Sequence, residues 1–325
     1  MAVPISGQGR RFQVFEGSND VVGVEDGERV SFASGGETVV GRLYEAGFAN
    51  GRSPAVAIIG PMTFVKEQAP VQYARRLAAN GFTALVFDPR SRGESGAEPR
   101  CVEDPMGKLA DLRAAVGFLA ARDEVDAERI AVLGVCFGGN TAVHAAADDP
   151  LIRAVAAVTP HFRNPQADAM WLGGPQAVAD RLARGREALA KYEATGEVRY
   201  VTAVHSTSLD VGMPGLAPWS WYQPWADRGL WDNRHAVLSD AALLSYESLS
   251  AAARLTKPFL LIHGDNCALP DQAKRHFAVV PTADKLHLRP DTPHLSFYDV
   301  PEAIDPAVTQ ITDWFARHLG PGTVE

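Results

Sequence analysis

The sequence predicts an α/β fold whose sheet is mostly parallel and is covered by helices on both faces. Short continuous apolar runs, of the length of buried strands, alternate with segments of helical spacing. One such run, at residues 130–135, passes directly into a helix through a glycine-rich turn. The alternation stops at about residue 161 and resumes at about residue 254, which indicates an insertion between two strands of the sheet.

The elements can be taken in chain order. The turn composition Ser34-Gly35-Gly36-Glu37 favours a hairpin over residues 28–44. The remaining predicted elements are buried strands at 54–60, 82–88, 130–135, 152–158 and 258–265, a short strand at 285–288, and helices at 67–79, 104–121, 140–147, 175–195, 270–277 and 303–319.

These elements divide the chain into three parts. Residues 1–27 are polar and glycine-rich and are interpreted as an N-terminal arm. Residues 28–160 and 254–325 form the predicted core. Residues 161–253 form a predicted helical lid, and insertions of this kind lie above the carboxyl edge of such sheets, where sites are found.

Composition excludes several classes of function. The 325 residues carry a net charge of −8, which offers no electrostatic support for binding nucleic acid. No run reaches the ~18 apolar residues of a membrane span, and the first residues have no signal-peptide character, so a cytoplasmic location is expected. The three cysteines are expected to be reduced thiols. No metal site and no cofactor are predicted, and a homodimer is left open.

The strand-to-helix turn Gly134-Val135-Cys136-Phe137-Gly138-Gly139 has the pattern of a nucleophile elbow. Glycines leave room for the crowded backbone, and the turn presents Cys136 at a helix N-terminus. There the N–H groups and the helix dipole are expected to lower the pKa of the thiol. The alternative is a buried, inert cysteine in the turn of some other α/β protein.

A cysteine nucleophile needs a base, and the base needs an orienting group. In this kind of fold the order along the chain is nucleophile, acid, histidine. We predict His294, in the loop before the last helix, as general base, and Asp265, at the end of the strand at 258–265, as its orienting acid. Asp271 is the alternative acid. Many hydrolases of this fold carry the acid three residues after the glycine, and Cys267 occupies that position.

The oxyanion of an acyl transition state needs N–H donors. The elbow offers the N–H of Phe137. The second donor is expected from Met62 or Thr63, with Met62 favoured, because Pro61 has no N–H. Lys66, which follows, is interpreted as a solvated residue of a first helical turn. The lid concentrates aromatic residues, and Trp219, Trp221 and Trp225 are candidates for the wall of an apolar substrate pocket, with lid core as the alternative.

Several motifs resemble the α/β-hydrolase superfamily over about residues 28–319. They are Val65-Lys66-Glu67-Gln68, the run from Phe87 to Gly96, Glu98-Pro99-Arg100, Glu103-Asp104-Pro105, the elbow Val132-Leu133-Gly134-Val135-Cys136, and the run from His294 to Asp299. More narrowly, they are similar to the dienelactone-hydrolase-like group that includes YcjY-type proteins and a fungal polyketide acyltransferase. The resemblance implies an α/β-hydrolase fold with a cysteine where most members have serine, and it does not specify a substrate.

These residues together predict an acyl-processing enzyme. Cys136 would attack an ester, lactone or thioester carbonyl, and the acyl group would pass to water or to an acceptor. The expected partner is a small acyl substrate, free or as a carrier-bound thioester. Hydrolase, acyltransferase and cyclase share this intermediate and are not separated by sequence. The alternatives are a lyase or isomerase that uses the same pocket without acylation, and a ligand-binding protein on a hydrolase scaffold.

Overall fold

The computed structural model describes residues 27–46 and 51–320. The predicted N-terminal arm lies outside the described residues, apart from Gly27. None of the helices in the described part of the chain is both long enough and apolar enough to cross a membrane.

One eight-stranded sheet organises the molecule. The strands of the described chain are β1 (Glu28–Ser34), β2 (Glu37–Tyr44), β3 (Ser53–Ile59), β4 (Thr83–Phe87), β5 (Val125–Val135), β6 (Ile152–Val158), β7 (Tyr200–Val201), β8 (Val204–His205), β9 (Met213–Pro214), β10 (His235–Ala236), β11 (Phe259–Ile262) and β12 (Lys285–Leu288). The large sheet has the order β1-β2-β4-β3-β5-β6-β11-β12. The first two strands form the predicted antiparallel hairpin, and β2 pairs antiparallel with β4. Every other pair of neighbouring strands in this eight-stranded sheet is parallel.

Helices cover both faces of this sheet. They are α1 (Ala69–Ala79), α2 (Pro105–Ala120), α3 (Gly138–Asp148), α4 (Pro165–Leu172), α5 (Pro175–Thr195), α6 (Leu216–Asp227), α7 (Ser239–Leu243), α8 (Leu249–Ala252), α9 (Pro270–Val279), α10 (Ser296–Asp299) and α11 (Pro301–Leu319). Successive residues of a strand point to opposite faces. On β3, Val56 and Ile58 belong to the apolar cluster that includes residues of α1 and α11, whereas Ala57 belongs to the cluster that includes residues of α2 and α3. The predicted fold class is therefore confirmed.

The segment between β6 and β11 stands apart from the sheet. It contains α4 to α8 and the two-residue strands β7 to β10, none of which pairs with the eight-stranded sheet. The sequence predicts α5 with the bounds the structure has. It does not predict α6 as a helix, because this segment contains an internal proline and a run of aromatic residues. Aromatic packing against the core holds the segment helical in spite of its weak propensity.

The turn between β5 and α3 is possible only because three residues lack a Cβ. A Cβ on Gly134 would lie 2.3 Å from the carbonyl oxygen of Gly138, and one on Gly138 would lie 2.3 Å from that of Ile59. A Cβ on Gly139 would lie 2.5 Å from the Cβ of Pro160. The glycines of the motif thus let the start of α3 press against the ends of β3 and β5.

This crowding predicts a large loss of stability for Gly138→Ala. The new methyl group would meet backbone, which cannot move aside as a side chain can, so we expect the free energy of unfolding to fall by at least ~2 kcal/mol. Urea denaturation followed by circular dichroism measures the change.

Gly117→Ala is the matched control for Gly138→Ala. Gly117 lies within α2, and an added Cβ there has no atom within 4 Å. Alanine favours a helix interior, so this variant should be more stable than the parent by about 0.5–1 kcal/mol. Equal effects of the two substitutions would contradict the close approach at the elbow.

Candidate active site

Cys136 sits at the sharpest point of the turn between β5 and α3. Its φ of 53° lies in the left-handed region, which L-residues rarely adopt and which marks strained functional positions. Its N–H donates to the carbonyl of Val158, and its carbonyl accepts from the N–H groups of Gly139 and His161. The backbone of the cysteine is thus tied to the neighbouring strand and to the helix it precedes.

The thiol of Cys136 is buried, with 6% of the residue exposed. Burial raises its pKa to about 11, against smaller opposing effects of the Tyr298 hydroxyl and of the N–H groups of Phe137 and Met62. The expectation that the helix N-terminus lowers the pKa is therefore wrong for this closed structure. Loss of water around a thiolate outweighs the hydrogen bonds and the dipole that favour it.

The two predicted oxyanion donors meet at this sulfur. The N–H groups of Met62 and Phe137 both hydrogen-bond to the Cys136 thiol. The alternative donor, Thr63, is already committed, because its N–H donates to the Glu103 carboxylate at 3.0 Å. Of the two N–H groups considered from the sequence, that of Met62 is therefore the one turned toward the cysteine.

Buried charged residues brace the loop that carries Met62. The Glu103 carboxylate, which accepts from Thr63, is paired with the buried ammonium of Lys108. That ammonium lies 5.3 Å from the ring centroid of Phe137. One end of this ion pair thus holds the loop that carries Met62, while the other contacts Phe137, the residue after Cys136.

A second ion pair holds the other end of the same loop. The Lys66 ammonium lies 2.8 Å from the Asp88 carboxylate, which also accepts from the Lys66 N–H at 2.8 Å. Lys66 is 2% exposed, so its interpretation as a solvated residue is wrong. A buried charge requires a paired partner, and Asp88 at the end of β4 supplies it.

The structure brings His294 to the same cluster as Cys136. The hydroxyl of Tyr298 lies 3.4 Å from Nε2 of His294 and also hydrogen-bonds to the Cys136 thiol. Cys136 and His294 therefore lie on either side of one phenol hydroxyl. Burial, followed by the nearby ring of His263, lowers the pKa of His294 to about 3, so its imidazole is neutral at physiological pH.

Asp265 does not orient His294 in the structure. Its side chain is 60% exposed, and its carboxylate pairs with Arg289 and with Lys274, the latter at 2.9 Å. The prediction of Asp265 as the orienting acid is contradicted, because two cations hold its carboxylate in solvent. The Nδ1 atom of His294 instead lies 2.7 Å from the hydroxyl oxygen of Thr159.

The alternative acid fails for a similar reason. Asp271 has an 88% exposed side chain and faces Lys274. Cys267, in the position of the usual acid, is buried, and its thiol lies within hydrogen-bond reach of the Thr159 hydroxyl. The side chain at the usual acid position therefore approaches the histidine cluster, but as a thiol rather than a carboxylate.

The three tryptophans predicted to line the pocket, Trp219, Trp221 and Trp225, differ in how closely they approach Cys136, Tyr298 and His294. All three are partly buried against the core. Trp221 packs edge-on against Tyr298, with ring centroids 4.9 Å apart, and its indole N–H donates to Asp299 at 2.9 Å. Trp225 packs on Trp221. Of the three, Trp221 therefore makes the direct contact with the residue that joins Cys136 to His294.

Two further aromatic residues of the segment between β6 and β11 hold the loop that carries Met62. The Tyr222 hydroxyl donates to the carbonyl of Met62 at 2.9 Å, and the Trp231 indole donates to that of Thr63 at 2.7 Å. Sequence reasoning missed these roles, and also those of Thr159 and Tyr298. For Tyr298 a signal existed, since it lies four residues after His294 and thus one helical turn away.

The raised pKa of Cys136 predicts how the thiol reacts as pH changes. The thiolate is the reactive form, so below a pKa of about 11 the alkylation rate should rise about tenfold per pH unit. Iodoacetamide labelling of Cys136 between pH 7 and pH 10, followed by peptide mapping, measures the slope. A plateau reached by pH 8 would contradict the burial effect and restore the expectation of a lowered pKa.

Comparisons with known proteins support this description of the fold. The model of the alpha/beta hydrolase fold family matches residues 68–301. The chain is 28% identical over 310 residues to the uncharacterised protein PA2218 of Pseudomonas aeruginosa, covering 90% of this chain and 80% of that protein. The crystal structure of that protein superposes with a TM-score of 0.78 over 91% of this chain and 94% of the other.

Two fungal relatives have named activities. The polyketide transferase claH of Penicillium crustosum is 30% identical, over 78% of this chain and 85% of its own. The thiohydrolase aneE of Aspergillus aculeatus is 36% identical, over 48% of this chain and 47% of its own. With the fold, the elbow and the family match together, the chain belongs to the α/β-hydrolase family and is a hydrolase or acyltransferase.

Proposed function

We propose that this protein processes acyl groups through an acyl-enzyme formed on Cys136. One observation carries the proposal. The N–H groups of Met62 and Phe137 converge on the thiol at the elbow, which is the arrangement that stabilises an oxyanion formed next to that sulfur. A cysteine that were merely packed in the core would not need two converging backbone donors.

The chemical steps follow from these positions. The sulfur of Cys136 attacks the acyl carbon, and the carbonyl electron pair moves to the oxygen held by Met62 and Phe137. The intermediate collapses, the bond to the leaving group breaks, and the thiol proton passes through the Tyr298 hydroxyl to that group. Water or an acceptor hydroxyl then attacks the thioester, and its proton returns to the sulfur by the same route.

Shielding of the sulfur from water makes transfer of the acyl group to an acceptor possible, in addition to hydrolysis. Trp221 packs on Tyr298, Tyr222 and Trp231 hydrogen-bond to the loop that carries Met62, and Cys136 is 6% exposed, so bulk water has little access to the sulfur. An acyl-thioester shielded from water can survive until an acceptor arrives. Relatives named as a polyketide transferase and a thiohydrolase support an acyl substrate, free or bound to a carrier as a thioester.

Intact-mass analysis tests the acyl-enzyme. We expect the protein mixed with the hexanoyl thioester of N-acetylcysteamine to gain one hexanoyl group, located on Cys136 by peptide mapping. Cys136→Ala should form no adduct and should lose activity by about a thousandfold or more, because the nucleophile is absent.

Cys101→Ala is the matched control for Cys136→Ala. Cys101 is also a buried thiol, but it lies 3.4 Å from Asp232 in the lid rather than at the elbow. This variant should form the adduct as the parent does. An adduct that persists in Cys136→Ala, or turnover near the parental rate, would overturn the proposal.

A further inference from the structure

The imidazole of His294 is surrounded by neutral groups. Its Nδ1 atom lies 2.7 Å from the Thr159 hydroxyl oxygen and accepts from the N–H of Ala268 at 3.3 Å. A backbone N–H can only donate, so Nδ1 must carry a lone pair and not a hydrogen. The hydrogen of the neutral ring is then on Nε2, which faces the Tyr298 hydroxyl at 3.4 Å.

This tautomer is opposite to the one that an orienting carboxylate selects. A carboxylate accepts from Nδ1–H and leaves Nε2 free to take a proton from the nucleophile. Here Cys267 occupies the position of the acid, and its thiol lies 3.5 Å from the carbonyl of Thr292. Among the described residues, the hydrogen-bond partners of the His294 ring are therefore the Thr159 hydroxyl, the Ala268 N–H and the Tyr298 phenol.

The groups around Nδ1 are themselves held in place. Thr159 is fully buried at the end of β6 and has a φ of 42°, a conformation that is unfavourable for a β-branched residue. Its N–H donates to the carbonyl of Ile262 at 2.7 Å. On the other side, Nε2 of His263 donates to the carbonyl of Ala268 at 3.0 Å. The surrounding structure thus fixes both donors to Nδ1.

We propose that Thr159 and Ala268 hold His294 in the neutral Nε2–H form, and that this limits the site to thioester substrates. The inference rests on the proposed function, since it names the substrate class of the same site. Thr159 is a positioning residue in it, because it acts through His294. Cys267 allows the arrangement by bringing no charge to it.

The restriction to thioesters follows from the leaving group. In a histidine-based mechanism the imidazolium supplies the proton that an alkoxide needs to depart. Without a carboxylate nearby, a buried imidazolium is unsupported. A thiol has a pKa of about 8.5, so a thiolate leaves readily. Attack by Cys136 gives the tetrahedral intermediate, and its collapse breaks the substrate's C–S bond. The thiolate departs without prior protonation and then takes the Cys136 proton through the Tyr298 hydroxyl.

Nitrogen NMR of the histidine rings tests the tautomer directly. With ¹⁵N-labelled histidine, and with His294→Gln to assign the signals, we expect an unprotonated Nδ1 and a protonated Nε2 at His294 from pH 5 to pH 8. A protonated Nδ1, or a ring that becomes cationic in this range, would overturn the inference. This measurement needs no substrate.

Paired substrates test the leaving-group restriction. The hexanoyl thioester of N-acetylcysteamine and the hexanoyl ester of N-acetylethanolamine differ only in sulfur or oxygen at the leaving group. Cys267→Asp places a carboxylate beside the Thr159 hydroxyl. That hydroxyl can then donate to the carboxylate and accept from Nδ1–H, and the ring reverses its tautomer by giving up the longer, 3.3 Å contact with the N–H of Ala268. We expect the ester-to-thioester ratio of kcat/KM to be about tenfold or more higher in Cys267→Asp than in Cys267→Asn. Cys267→Asn is the matched control, because asparagine has the size of aspartate but no charge.

The pH profile and a double variant complete this test. In Cys267→Asp, alkylation of Cys136 should begin at a lower pH than in the parent protein. The increase in the ester-to-thioester ratio should be lost when Cys267→Asp is combined with Thr159→Val, because the carboxylate acts on His294 through the Thr159 hydroxyl. Equal ratios in Cys267→Asp and Cys267→Asn, both folded by circular dichroism, would overturn the restriction. Should the variants not fold, the NMR result on the parent protein decides. Failure of the proposed function would show instead as the absence of an adduct on Cys136.

Discussion

The close approach of three backbone segments at the elbow determines the geometry of the whole site. The first residues of α3 lie so near the ends of β3 and β5 that a Cβ on Gly134 or Gly138 would fall 2.3 Å from a carbonyl oxygen. This contact forces Cys136 into the left-handed region. It also places the sulfur beside the loop that follows β3, which is why the N–H of Met62 reaches it.

That loop is held by charge rather than by apolar packing alone. Lys66 with Asp88 and Lys108 with Glu103 are buried ion pairs at its two ends. Such pairs add little net stability, because each charge loses its hydration on burial. Their directional hydrogen bonds do fix geometry, since Glu103 holds the N–H of Thr63 and Asp88 that of Lys66. We infer that they are retained because they keep the N–H of Met62 directed at the Cys136 sulfur.

The sequence was sufficient for the fold and for one half of the site. Strand and helix alternation is a local pattern, so the order of the core elements and the elbow at Cys136 follow from it. Candidate oxyanion donors also follow, because the elbow supplies the N–H of Phe137 and Pro61 leaves Met62 or Thr63 for the second. His294 could be placed near Cys136 from its position in the chain, since the carboxyl ends of parallel strands meet at one edge.

The other half depends on contacts between segments distant in sequence. Thr159 reaches a histidine 135 residues later, and no periodicity links them. Asp265 follows a strand that ends at the correct edge, but its carboxylate pairs with Arg289 and Lys274. The strand pattern does not show that these two cations lie close to it. The pKa of Cys136 likewise depends on how fully the fold buries its sulfur, which composition does not reveal.

A cysteine and a neutral histidine are chemically consistent with each other in a closed, poorly hydrated site. A serine there would need a base to remove its proton, and the resulting imidazolium would need a carboxylate. A thiol is far more acidic and its acyl derivative more reactive, so it can work with weaker help. The thiol of Cys267, the hydroxyl of Thr159 and the neutral ring of His294 all avoid burying a net charge beside Cys136. Under the proposed function, the missing carboxylate is matched by the cysteine at position 136, because a thiol needs less help from a base than a hydroxyl does. A change at either position would therefore alter what is required of the other.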